Sequence, residues 1–275
     1  MKADLHIHSY YSDGIYDVKK LVKYAKEKGL DIISLTDHDS VRGVKEAMDE
    51  GAKENLQVIP GIELSTYNNG ESVHVLGYFF NGIPQNILDY SDNMYHSRCQ
   101  RALKIAENLT TLHNLNCNIE RLMDQKGMIT RSHLIKEFQL SNPEYSSEEI
   151  FNKFLHDDAP GYIPSTKMTT KDGIELLKSC NALVVIAHPA LLRKNDICDL
   201  ISLGVDGIEA IYPKNKGNME EEFREIAQKN NIIITAGSDF HGVIDYAHPD
   251  MAYNVLEGQD LIKFLERLGA KNENK

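Results

Sequence analysis

Histidines and carboxylates recur in short clusters along this chain, and each cluster falls where an apolar run ends. His6 and His8 close a run that begins at Ala3, with Asp13 in the loop beyond. Thr36-Asp37-His38-Asp39 follows residues 31–35, and Glu63 lies near the end of residues 57–65. His188 follows Ala182 to Ala187, and Asp239 with His241 follows Ile232 to Ala236. His74 stands apart, a few residues beyond an Asn69-Gly70 pair. Imidazole nitrogens and carboxylate oxygens together suit Zn, Mn or Fe, and a carboxylate can bridge two ions. Nine candidates (His6, His8, Asp13, His38, Glu63, His74, His188, Asp239 and His241) exceed what one ion needs, so the expected centre holds two or three divalent ions. Such a centre activates a water and neutralises charge building on an attacked phosphorus and its leaving oxygen.

Each cluster alone has a plainer explanation. A His-x-His pair on a strand is often structural, Asp37 or Asp39 could cap a helix, and the loops after residues 187 and 237 could simply be polar. Their joint placement at successive strand ends is what carries the inference. His96, His113, His156 and His248 have no comparable surroundings and read as surface or packing residues. Asp4 shares a strand face with His6 and His8 and is a candidate for orienting a ligand.

The elements that must position these groups are short strands alternating with amphipathic helices. Alternation over Ala3 to His8 predicts a strand with Asp4, His6 and His8 on one face and Leu5 and Ile7 on the other. Asp17 caps an expected helix that ends before Gly29, and a second helix is expected from about Ser40 to Glu54. Asn69-Gly70 between two β-like runs predicts a two-residue hairpin. Pairing outward from it sets His74 opposite Ser65 and diagonal to Glu63, ~7–8 Å away at the backbone and within reach of one ion. From residue 83 to 164 no comparable strand is found, and helices are expected near 95–115, 132–138 and 147–155. Strand–helix alternation then resumes, with strands at 182–187, 206–210 and 232–236 and helices near 170–179, 219–229 and 259–268. About seven strands result, and the fold expected is a distorted TIM-like (β/α)7 barrel with a helical insertion. Residues 1–82 and 165–275 would form the barrel and 83–164 the insertion. In such barrels the active site lies at the C-terminal strand ends, where these ligands fall, apart from His74, which the hairpin brings in.

Composition narrows the function further. With 275 residues, 41% hydrophobic and 26% charged, the chain reads as an ordinary globular protein. Its apolar runs are too short to cross a bilayer, which needs about 20 residues, and no secretory leader is visible after Met1. The four cysteines are widely spaced with no CxxC, so reduced thiols and a cytoplasmic location are expected. A net charge of −11 argues against long nucleic acid as a partner, which needs a broad basic footprint. A small phosphorylated substrate remains compatible, because bound ions reverse the local sign.

The motifs resemble those of the PHP (polymerase and histidinol phosphatase) family. The matching segments are Asp4-Leu5-His6-Ile7-His8-Ser9, Thr36-Asp37-His38-Asp39, Gly61-Ile62-Glu63, His74-Val75-Leu76-Gly77-Tyr78, Ala187-His188-Pro189 and Gly237-Ser238-Asp239-Phe240-His241. They span nearly the whole chain in the family's order. The resemblance implies a trinuclear centre built on the nine residues above, with Mn the first expectation and Fe or Zn as alternatives. It also makes His188, His241 and Asp13 the candidate catalytic residues, with a metal-bound water as the other candidate for protonating the leaving oxygen.

The insertion between His74 and His188 is similar to that of the TrpH/YciV-like branch, which includes phosphatases of nucleoside 3′,5′-bisphosphates and enzymes that trim the 5′ ends of short RNA. That branch carries Arg-Pro-His and Tyr-Val-Pro elements, which read here Arg131-Ser132-His133 and Tyr162-Ile163-Pro164. Arg131 is the expected phosphate contact, since its guanidinium is a planar bidentate donor; His133 and Lys167 are further candidates. The reading implied is a metal-dependent phosphoesterase acting on a small nucleotide or short oligonucleotide. Histidinol-phosphate phosphatase is the nearest rival. An amidohydrolase would need a lysine at a strand end to carry a bridging carboxylate, and none stands out. A non-catalytic metal-binding regulatory domain would have no need for the full ligand set.

Overall fold

The computed structural model describes residues 1–165, 168–244 and 249–273. Lys167 and His248, named above as candidate site and surface residues, lie outside these. The described residues of 1–91 and 168–273 pack as one compact unit, and residues 92–165 as a second.

The first unit is an α/β barrel. Its strands are β1 (Lys2–Ile7), β2 (Ile32–Leu35), β3 (Gln57–Asn68), β4 (Glu71–Tyr78), β5 (Met168–Thr169), β6 (Leu183–Ile186), β7 (Gly207–Ile211), β8 (Ile233–Ala236) and β9 (Leu256–Glu257). They form one sheet in the order β8-β7-β6-β4-β3-β2-β1-β9, with β5 beside β3. β2, β6 and β8 are buried along their whole length, as expected of strands covered on both faces. The sheet curls until the segment after β8 meets β1 at the rim. The Asp239 amide donates to the His6 carbonyl at 2.8 Å and the His8 amide to the Phe240 carbonyl at 2.9 Å. The result is the nearly closed, distorted TIM-like barrel expected from the sequence, its seven longer strands being β1–β4 and β6–β8. The distortion is the hairpin: β4 runs antiparallel to both β3 and β6, while β1–β2, β2–β3, β6–β7 and β7–β8 pair in parallel.

Helices α1 (Val18–Glu27) and α2 (Val44–Glu54) pack behind β1–β3. Asp17 caps α1 by accepting from the Lys20 amide at 2.7 Å. The second helix begins at Val44, not Ser40. Asp39 sits at φ 52, and its carboxylate accepts from the Ser65 amide and the Tyr90 hydroxyl instead of capping the helix. α3 (Gln85–His113) is one 29-residue helix that starts ten residues before the expected position. Ile87 and Ser91 near its start are buried, and the Ser91 hydroxyl accepts from the Val41 amide. The first two turns of α3 therefore belong to the barrel unit, so the units divide at residue 91 and not at 82.

The second unit holds the rest of α3, α4 (Ile119–Met123), α5 (Arg131–Ser141) and α6 (Ser147–Ile150), which continues as a π-helical turn over Phe151–Leu155. Its own apolar core includes Leu109, Leu134, Phe138, Ile150 and Leu155. α7 (Thr170–Ser179), α8 (Ile197–Ser202), α9 (Met219–Lys229) and α10 (Gly258–Glu273) complete the barrel unit. Among the described residues no helix is long and apolar enough to cross a membrane.

Candidate metal centre

The hairpin sets the first half of the site. Asn69 at φ 46 and Gly70 at φ 77 form the tight turn, which places Ser65 opposite His74. From that register the His74 Nδ1 reaches Glu63 Oε1 at 2.9 Å. Glu63 is fully buried and is the hub of the arrangement. Its Oε1 also meets His188 Nε2 at 3.0 Å. Its Oε2 lies 3.2 Å from His6 Nε2, 3.3 Å from His8 Nε2 and 3.0 Å from His38 Nδ1. One carboxylate thus faces five imidazoles brought by β1, by the loops after β2 and β6, and by β4.

The barrel seam supplies the second half. Asp239 Oδ1 lies 3.1 Å from His8 Nε2 and 3.5 Å from His6 Nε2. His241 Nδ1 must donate to the Asp239 carbonyl, 2.8 Å away, which leaves Nε2 as the free ring nitrogen, 3.2 Å from Asp13 Oδ1. All nine residues singled out from the sequence therefore converge on one rim. Three sets of ligand atoms are close enough to share an ion: His6, His8, Glu63 and Asp239; His8, Asp13, His38 and His241; and His38, Glu63 and His74. His188 joins them through Glu63. The other described histidines serve local structure: His96 Nδ1 lies 2.7 Å from the Asp92 carbonyl, His113 Nε2 lies 3.0 Å from that of Pro160, and His156 Nδ1 accepts from the Asp158 amide.

Five buried side-chain atoms at this rim, His6 Nε2, His8 Nε2, His38 Nδ1, Glu63 Oε2 and Asp13 Oδ1, have no hydrogen-bond partner. Buried polar atoms are ordinarily satisfied, and five unsatisfied ones aimed at common points are the donor set a metal cluster requires. The electrostatics agree. Burial disfavours the charged form of Glu63, yet His38, His6 and His74 hold it well below the usual carboxylate range. Burial would likewise lower His8, but the adjacent Asp239 and Glu63 carboxylates overcome it and push the imidazole up to about 10. For His74 burial prevails over Glu63, and its imidazole is lowered to about 4.

A buried layer behind these atoms was only partly legible in the sequence. Asp4 accepts from the Ser238 amide and hydroxyl at 3.0 and 2.6 Å and from the Ala252 amide at 3.0 Å. It thus clamps the loop that carries Asp239. Asp37 accepts from the Ser9 amide and hydroxyl and from the Ser12 hydroxyl, each at 2.7 Å, and pins the loop leading to Asp13. Two groups escaped the sequence reading altogether. The Tyr212 hydroxyl donates to Asp239 Oδ2 at 3.0 Å, and Glu209 on β7 lies against His6 and His188. The available signal for Glu209 was a lone carboxylate within the otherwise apolar strand Gly207–Ile211.

Arg131 and His133 belong to the second unit. Arg131 Nη2 donates to Asp157 at 2.5 Å, and its guanidinium lies 4.7 Å from the centre of the Tyr162 ring. His133 Nδ1 accepts from the Thr130 amide at 3.1 Å, closing the first turn of α5.

The chain matches the PHP domain over residues 4–272. It belongs to the PHP family. Two relatives resemble it along most of their length. The 3′,5′-nucleoside bisphosphate phosphatase of Chromobacterium violaceum is 25% identical over 246 residues, 86% of each chain. The 5′-3′ exoribonuclease Rnm of Escherichia coli is 26% identical over 248 residues, 86% of this chain and 84% of its own. Among solved structures, a protein assigned as a metal-dependent phosphoesterase from Bifidobacterium adolescentis superposes with a TM-score of 0.81 at 23% identity, covering 96% of both chains, and supports the barrel fold.

Proposed function

We propose that this PHP protein is a metal-dependent phosphoesterase that removes a phosphate monoester from a small nucleotide, most directly the 3′-phosphate of a nucleoside 3′,5′-bisphosphate, with 5′-end trimming of short RNA as a related activity. The observation that carries the reading is the set of five unsatisfied buried ligand atoms on His6, His8, Asp13, His38 and Glu63, a feature of a cluster of ions and not of a polar core. The substrate class is supported by the Chromobacterium phosphatase and the Escherichia exoribonuclease, each of which this chain matches over more than four-fifths of its length.

His6, His8, Glu63 and Asp239 would hold one ion, and His8, Asp13, His38 and His241 a second. Glu63, His38, His74 and His188 would supply the remaining positions. Mn fits this mixed set, as do Fe and Zn. Bound ions would polarise the phosphoryl oxygens and acidify an attacking water. The protein's own part is orientation. His6, His8 and Glu63 are fully buried, whereas the side chains of Asp13, His74 and His241 are 20–30% exposed or close to it, so substrate approaches across these three. Asp13 and His241 lie together on that open side, and with their ligand atoms given to the second ion they would orient it toward the substrate, leaving protonation of the leaving oxygen to a bound water. Arg131 is proposed as a contact for a substrate phosphate, its donor fork being oriented by Asp157 and Tyr162, with His133 and Lys167 as further candidates.

The test is phosphate release by Mn-reconstituted protein from adenosine 3′,5′-bisphosphate, with histidinol phosphate and AMP run alongside. Preferential release from the bisphosphate is expected. Preference for histidinol phosphate would overturn the nucleotide assignment. Arg131→Ala should raise KM about tenfold or more while leaving bound metal unchanged, the loss associated with one charge-assisted phosphate contact. Unchanged kinetics would remove Arg131 from the site.

A further inference from the structure

Glu209 is a fully buried carboxylate, and among the described residues no lysine or arginine pairs with it. Ionised carboxylates are seldom buried without a cation or metal to offset the lost hydration. Both of its oxygens are committed to the metal rim. Oε1 accepts from His6 Nδ1 at 3.0 Å, and Oε2 accepts from the His188 backbone amide at 2.8 Å. The first bond fixes the His6 tautomer: with Nδ1 carrying the proton, Nε2 presents its lone pair toward Glu63 and Asp239. The second holds a turn whose backbone is unusual, since His188 sits at φ 29, a region that a non-glycine residue enters only at a cost.

The surroundings are shaped for this pair. A Cβ at Gly237 would lie 2.2 Å from the His6 Cβ and 2.7 Å from Glu209 Oε1, so only glycine lets the last long strand pass so close. The β7–β8 ladder also shifts register between Glu209 and Ile211. Bulges of that kind re-aim side chains beside sites.

We propose that Glu209 is a positioning residue of the metal centre, fixing His6 for ligation through Nε2 and bracing His188 by its backbone. The inference rests on the metal-centre reading above and extends it to a residue that touches neither substrate nor ion. Glu209→Gln has nearly the same shape but cannot accept at both ends. If its oxygen faces His6, its amide NH2 meets the His188 N–H, donor against donor. If it is flipped, the NH2 favours a His6 ring that accepts at Nδ1 and carries its proton on Nε2, where the lone pair for the ion should be.

The experiment measures Mn affinity by chelator competition on parent and E209Q, together with the thermal midpoint of each metal-free protein. The expected result is a 10–100-fold loss of Mn affinity, the range for outer partners of ligating histidines, with metal-free midpoints within a few degrees of each other. Parent-like affinity in E209Q overturns the proposal, including the case in which only the midpoint falls. Should E209Q fail to fold, Glu209→Asp keeps the charge but withdraws both oxygens by a methylene. A tenfold loss there supports the proposal, and parent affinity overturns it. A parent that binds no Mn, Fe or Zn fails the underlying reading, a result distinct from any difference between parent and variant.

Discussion

Glu63 concentrates the chemistry of this protein into one side chain. Five imidazoles lie within 3.3 Å of its two oxygens, so one carboxylate organises ligand atoms from four parts of the barrel. Glu63→Gln removes the charge without changing the shape. It should lower Mn affinity at least ~100-fold, the upper end of what an outer partner contributes, and hydrolysis should fall with it; full Mn stoichiometry in the variant would contradict the hub role. His8 makes a second prediction. Its folded imidazole, raised to about 10 by Asp239 and Glu63 against burial, keeps its proton at neutral pH in the metal-free protein. Because this value lies above the ordinary histidine value, the stabilisation is complete below about pH 6.5 and is lost as pH rises toward 10. Metal must displace that proton, so affinity should rise with pH. Calorimetry of Mn binding at pH 7 in buffers of different ionisation enthalpy should report net proton release. Zero release would contradict the account.

At the level of elements, the site depends on two close approaches. One is the hairpin, which was legible because an Asn-Gly turn of two residues fixes the parity of everything paired beyond it. The Ser65–His74 register, and with it the His74–Glu63 contact, followed from that alone. The other is the seam between β1 and the segment after β8. Its closeness was not legible, because it depends on how far the sheet curls, a property spread over all strands and marked by no local signal. Gly237 is where the seam is tightest. Gly237→Ala should force β1 and β8 apart, costing about 1–3 kcal/mol as for other overpacked positions and reducing bound metal; an alanine variant with parent stability and metal content would show that the seam has slack. Helix ends were less legible than strand ends. Ser40 looked like a helix start, but Asp39 spends its carboxylate on Ser65 and Tyr90, partners distant in sequence. Glu209 stayed hidden for the same reason, since its partners His6 and His188 lie on β1 and in the loop after β6.

For the whole molecule, eight of the nine ligand candidates were readable as a set because strand–helix alternation puts the C-terminal ends of the parallel strands on one rim, and the hairpin adds His74. The substrate side is less explicit, as Arg131 and His133 belong to the inserted unit and serve its own packing as well. A chain with a net charge of −11 gathers carboxylates at a rim where divalent ions would offset them. Stripping those ions should therefore destabilise the barrel. Ligand at 100 times its Kd contributes about 2.7 kcal/mol, so chelation should lower Tm by roughly 5–10 °C, and Mn should restore it. An unchanged Tm would mean that the folded barrel gains nothing from the ions. The central claim is most directly tested by phosphate release from adenosine 3′,5′-bisphosphate as Mn is titrated into chelated protein, with bound metal per chain counted at each point. The account predicts no release from the metal-free chain and release that rises as the second and third ions bind. Hydrolysis that survives complete chelation, or a fully loaded centre that releases phosphate from no monoester, would contradict it.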